Sequence, residues 1–215
     1  MKKLLCLVVV LSYFSAAHAE EPQCNGFRGM KWGTPLEDVK SREPQALKTA
    51  SAGRLTHPRV VQLEANIELA DMDCTLSYVF LDEKLAGGFY TFTPNHYDDG
   101  SYVHGFRRIR DLLVEKYGPQ TQTGREDSYP DYFNSEADPR DRELMTKMRN
   151  ERSDIVEYWD FPDTENPEDL GSVIIHILSM TDNKVQHRIY YQYKNTRAEF
   201  ENMIEERRRS WLDQL

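Results

Sequence analysis

The sequence predicts an α+β protein in which helices cover one face of an antiparallel β-sheet. Three observations carry this. Val61, Leu63, Ala65, Ile67 and Leu69 alternate strictly with Gln62, Glu64, Asn66 and Glu68, the two-residue period of a half-buried strand. Two hairpins, turning at Asp82-Glu83-Lys84-Leu85 and at Asp182-Asn183-Lys184-Val185, join further alternating runs. Between them Val103, Phe106, Ile109 or Arg110, Leu113 and Tyr117 recur at helical spacing. The hydrophobic fraction is a modest 39%, but 12 Tyr and 9 Phe supply the bulk of a β-rich core.

The elements follow in order. Lys2 and Lys3 form a basic head, Leu4 to Phe14 an apolar run, and Ala17-His18-Ala19 the small-residue site of an export signal cleaved before Glu20. The run is shorter than the roughly 20 apolar residues that span a bilayer. Glu21-Pro22-Gln23 before Cys24 is unlike the small apolar box required for lipidation, so the mature protein is expected to be soluble in the periplasm, or released. Thr34, Pro35 and Glu37 read as N-cap, first helical residue and capping-box partner of a short helix that Pro44 ends. Residues 45–58 are a polar connection. The strand from Val61 is followed by one carrying Leu76, Tyr78 and Phe80 and one from Leu85 to Thr93, in which Gly87-Gly88 marks a bulge.

The helix through Val103 ends at Gly118-Pro119. Strands then follow at Ile155–Phe161, Val173–Met180 and Val185–Lys194. Helix, strand, strand, strand thus occurs twice. A tandem duplication and two independent meanders account for this equally well. The expected organisation is a signal peptide at 1–19, a first α+β lobe at 20–98, a second at 99–195 with a polar insertion at 120–152, and a C-terminal helix at 196–215. The insertion holds one helical candidate, from Asp138-Pro139 into Leu144, Met145 and Met148. The last helix places Phe200, Met203 or Ile204, Trp211 and Leu215 on one side, and its Arg207-Arg208-Arg209 run is expected to pair with nearby glutamates.

The net charge of −9 becomes more negative once the signal and its two lysines are removed, which disfavours nucleic acid and anionic membranes as partners. No later stretch reaches membrane-spanning length. Loss of Cys6 with the signal leaves Cys24 and Cys74, which an oxidising compartment is expected to join in a disulfide.

No nucleophile elbow, H-E-x-x-H helix, phosphate-binding glycine loop or C-x-x-C pair occurs, so no catalytic, cofactor-binding or metal-ligating residue is expected. His96 and His104 flank Asp98-Asp99, but capping is the commoner use of such aspartates. His176, inside an apolar strand, reads as a satisfied, half-buried histidine. The acidic loop Asp160, Asp163, Glu165, Glu168 and Asp169 lacks calcium-loop spacing and reads as solvated.

Phe27-Arg28-Gly29-Met30-Lys31-Trp32-Gly33-Thr34-Pro35-Leu36-Glu37-Asp38-Val39, with Lys116-Tyr117-Gly118-Pro119 closing a later helix, resembles small exported bacterial proteins that carry a W-G-[ST] box. The element order is also similar to the SmpA/OmlA-type outer-membrane assembly lipoproteins and to β-lactamase inhibitory protein, which implies helices packed on an antiparallel sheet and a binding or adaptor role. The lipoproteins' lipidated cysteine is missing here. The expected function is therefore non-catalytic binding in the periplasm, with another envelope protein as partner and Tyr90, Trp159 and Tyr190 as an exposed aromatic contact surface. Two alternatives are an envelope hydrolase assembled from His96, His104, Asp98 and Asp99, and a small-ligand carrier with an apolar cavity between helix and sheet. The oligomeric state stays open.

Overall fold

A computed structural model describes residues 23–50, 57–93, 99–124, 140–151, 154–162, 170–181 and 184–212. Residues 1–19, where a signal peptide is expected, His96, Asp98 and residues 163–169 of the acidic loop lie outside these. The chain begins with a small hairpin, β1 (Gly26–Phe27) and β2 (Met30–Lys31), followed by α1 (Leu36–Arg42). β3 (Lys48–Thr49), β4 (Val60–Leu69), β5 (Met72–Leu81) and β6 (Lys84–Phe92) form the first meander. α2 (Asp99–Tyr117), β7 (Gln122–Gly124), α3 (Arg140–Glu151), β8 (Ile155–Phe161), β9 (Ser172–Thr181) and β10 (Lys184–Tyr193) form the second, and α4 (Arg197–Leu212) closes the chain.

The α+β expectation holds. β3 to β10 make one antiparallel sheet in the order β3-β4-β5-β6-β10-β9-β8-β7. Its centre is the β6–β10 pair, in register from His187 opposite Phe92 to Gln192 opposite Gly87. The two halves thus share one sheet, and each supplies one short edge strand and three longer ones in matching order.

Strand phase follows the alternation. Leu63, Ala65, Leu76, Tyr78, Phe80, Tyr90, Phe92, Ile189, Tyr191, Ile174, Leu178, Ile155 and Trp159 are buried. α2 covers this face with Val103, Phe106, Ile109 and Leu113, all buried at the expected helical spacing. The Gly118 N–H donates to the Val114 carbonyl at 2.8 Å and ends the helix where Gly118-Pro119 predicted. α3 packs Leu144, Met145 and Met148 against Val103, Phe106, Ile155 and Leu178. Part of the polar insertion is therefore core rather than surface padding, because those three apolar residues fall on one helix face. α4 packs Met203, with Phe200, against Leu81 and Ala86, while Ile204 is exposed. Arg197 pairs with Glu201 at 2.8 Å and Arg209 with Glu205 at 3.6 Å along the same helix.

Three expectations need correction. Thr34 is not the cap of α1: its hydroxyl donates to the Lys31 carbonyl at 2.7 Å, and Pro35 precedes the helix while bridging to Lys84. Sheet pairing of residues 33–36 with the start of β6 takes over the polar groups a cap would have used, as in Gly33 N–H to Leu85 O at 2.8 Å. The bulge lies one residue before the glycine pair. Val79 faces Gly87 and Phe80 faces Leu85, which leaves Ala86 as the extra residue and turns it toward α4. Finally, Cys24 and Cys74 are free thiols. Cys24 lies before β1 and donates to the Gly26 carbonyl at 3.5 Å, and Cys74 sits in β5 opposite Ile67 and Phe92. Burial pushes both thiols up to about 11, away from the thiolate form that forms disulfides.

Candidate functional site

Pro44 sets the site in motion. It disfavours helical backbone at the preceding residue, so α1 stops at Arg42 and Glu43 turns extended, with φ −75° and ψ 121°. The Glu43 carboxylate then points inward, where it accepts from the Tyr78 hydroxyl of β5. It meets Arg28, which stands in the two-residue β1–β2 turn with Gly29, both at positive φ. Arg28 Nε–H donates to Glu43 Oε2 at 3.1 Å and Nη2 to Oε1 at 3.2 Å, a two-point pair. Nη1 reaches the Tyr90 hydroxyl at 3.5 Å. The Glu43 side chain is sealed at 1% exposure while that of Arg28 remains 29% exposed, so only the cation faces outward.

Beside this pair opens a cleft of about 350 Å³. The β1–β2 hairpin supplies Phe27, Arg28 and Met30, the end of α1 Arg42, Glu43 and Pro44, the sheet Tyr90 and Tyr191, and the end of α2 Lys116 and Tyr117. Burial, aided by the neighbouring Tyr117 and Tyr90 hydroxyls, pushes Tyr191 well above the ordinary phenol value, and burial also raises Tyr90. These hydroxyls therefore stay protonated at neutral pH as hydrogen-bond groups. The hairpin is tied down by the W-G-T box: Trp32 Nε1–H donates to Ser172 Oγ at 2.6 Å, and its ring stacks on Tyr193 with centroids 6.1 Å apart. The cleft lies between helix ends and sheet, as a carrier requires, but it is edged by cations and tyrosines rather than apolar.

A second polar cluster is buried under α2. β8 and β9 place Glu157 directly opposite His176, and His187 on β10 lies diagonally beyond it. His176 Nδ1 is 3.1 Å from Glu157 Oε2, and its Nε2 is 2.8 Å from His187 Nε2. Phe106 stacks on His176 at 3.9 Å and Phe92 on His187 at 4.3 Å. Exposures of 2%, 0% and 6% for Glu157, His176 and His187 close the line to substrate. Burial pushes Glu157 up to about 7, and burial together with nearby Arg110 holds His176 well below the usual imidazole range. A protonated Glu157 donating to Nδ1 leaves His176 to donate from Nε2 to His187, so the line forms without a buried charge.

Several expected site residues move. Tyr90 and Trp159 are buried, Trp159 donating to the Gly118 carbonyl at 2.8 Å, because both lie on the sheet face under the helices. Only Tyr190 faces the other side, half-buried beside Phe89 and accepting from Arg188 at 2.9 Å. The three form no common contact surface. His104 is exposed on α2. His176 is wholly rather than half buried. Arg28 and Glu43 went unrecognised because 15 residues separate them, although an arginine before a turn glycine and a glutamate before a proline mark both places. Among the described residues, no group of three or more His, Cys, Asp or Glu side chains is arranged to hold a metal, and no helix is long and apolar enough to cross a membrane. No protein-family model, curated protein or solved structure matches this chain.

Proposed function

We propose that this chain is an exported, non-catalytic binding protein whose small ligand seats in the cleft between the β1–β2 hairpin, the end of α1 and the end of α2. The observation that supports it best is Arg28, a partly open guanidinium held by a sealed carboxylate at the wall of a concavity of ligand size. An ion pair kept only for stability gains little from a partly exposed arginine, since burying the carboxylate has its own desolvation cost. Screening a set of neutral, cationic and anionic small molecules by thermal shift is expected to yield ligands whose effect vanishes in Tyr117→Trp, which narrows the mouth without adding charge. Stabilisation that persists in that variant for every hit would place binding elsewhere and overturn the reading.

Export is supported by the basic head, the apolar run and the Ala-x-Ala site of residues 1–19. Expressed in a bacterium from its full sequence, the protein is expected in the periplasmic fraction with Glu20 as its first residue by intact mass. Recovery with Met1 retained in the cytoplasm would refute it.

A further inference from the structure

We infer that the cleft takes a small organic oxyanion, a carboxylate or a phosphate ester, seated on Arg28 with Arg42 and Lys116 closing over it. This rests on the reading of the cleft as a binding site and adds the chemistry of what it binds. The argument is one of charge and donor geometry. The lining residues carry three cations, Arg28, Arg42 and Lys116, against one carboxylate, Glu43. That carboxylate is already satisfied by the two-point pair with Arg28 and by the Tyr78 hydroxyl. Arg42 and Lys116 pair with no carboxylate among the described residues, in a chain whose overall charge is −9. A lining with three cations against one carboxylate, in an otherwise acidic protein, creates a local positive potential that draws anions in.

Donor inventory agrees. A guanidinium has five N–H groups. Glu43 takes one from Nε and one from Nη2, and Tyr90 takes one from Nη1. One N–H remains on each terminal nitrogen, unclaimed by Glu43 or Tyr90 and able to donate to the oxygens of a carboxylate or phosphate. Glu43 thus orients Arg28 in advance. Lys116 at the end of α2 and Arg42 at the end of α1 are exposed, as groups that fold over a bound ligand need to be. The Tyr90 and Tyr191 hydroxyls at the floor supply further hydrogen bonds.

The test is titration calorimetry of the full mature protein at low salt with benzoate, citrate and glycerol 1-phosphate, and with benzamide and glycerol as neutral partners. At least one anion is expected to bind while its neutral partner does not, and the carboxylate and phosphate arms separate the two sources of the anion. The Arg42→Gln/Lys116→Gln double variant, altered only at exposed positions, is expected to fold normally and to bind about fivefold to tenfold more weakly. Arg28→Lys, which keeps the charge but loses the fork, is expected to weaken binding by about tenfold or more. Neutral partners that bind as tightly as the anions would overturn the charge assignment while leaving a binding cleft in place. Absence of binding by both series would overturn the inference, while the thermal-shift screen still decides whether the cleft binds at all. Equal anion affinity in wild type, the double variant and Arg28→Lys would place the anion outside the cleft and overturn the inference.

Discussion

Gly88→Ala is expected to lower stability by about 2–4 kcal/mol and to displace the hairpin that carries Arg28. A Cβ on Gly88 would lie 2.1 Å from Phe27 Cδ1 and 2.3 Å from Cε1, so the ring has to leave. Phe27 is the centre of an aromatic cluster, with ring centroids 5.2 Å from Tyr78, 5.3 Å from Tyr90 and 5.0 Å from Tyr191. Expelling it removes those contacts and opens the space they filled, which explains an effect near that of a Phe→Ala change, about 3–5 kcal/mol. Gly87→Ala is the control, since its Cβ would meet the Tyr191 carbonyl at 3.2 Å and should cost less. Urea unfolding measures both, and a Gly88→Ala loss below about 0.5 kcal/mol would contradict the packing described. In Phe27→Ala/Gly88→Ala the clash disappears, so the double variant should lose clearly less than the sum of the two singles.

The second large effect concerns Glu157. Glu157→Ala leaves the buried His176 Nδ1 without its partner and should cost about 2–3 kcal/mol, whereas Glu157→Gln keeps a hydrogen-bonding group in place and should be far milder. The pH dependence separates them further. The folded value of Glu157, pushed up to about 7 by burial, lies above its unfolded 4.5, so its stabilising contribution is full below pH 4.5 and is lost as pH rises through 7. His176 acts oppositely: its lowered folded value gives a contribution present above 6.5 and lost on acidification. The two slopes offset each other between 4.5 and 6.5, and stability falls from 6.5 to above 7. Glu157→Gln removes the first contribution only. Wild type should therefore lose ground to Glu157→Gln from pH 4.5 to about pH 8, by up to about 3 kcal/mol. A difference independent of pH, from urea titrations across that range, would show that Glu157 is ionised in both states.

Much of the fold was legible because burial on one face imposes a period that residues announce directly. Leu63 and Ala65, the Leu76-Tyr78-Phe80 row and the Val103-to-Tyr117 stripe all fall where their spacing placed them. The short strands β1, β2, β3 and β7 were not legible: two or three residues carry no period, and their pairing depends on what lies beside them. The buried line under α2 left a partial trace. Glu157 occupies the inward phase between Ile155 and Trp159, and an acid in that phase requires a partner, but the strand itself does not say which.

The cysteines and the aromatic contact residues show the same boundary from the other side. Composition says how many thiols remain and how many tyrosines there are, while register and the side of the sheet that α2 covers determine which are sealed. That is why Tyr90 and Trp159 are core and Tyr190 is not. The sequence by itself determined the class, the strand phases, the helix ends at Pro44 and Gly118 and the expectation of export, because each depends on residues within a few positions of one another. Only the tertiary structure decided which chemistry the molecule gathers. Arg28, Glu43, Tyr90 and Lys116 come from four elements far apart in the chain, and the cleft exists because sheet order and the Gly88–Phe27 contact bring those elements to one place.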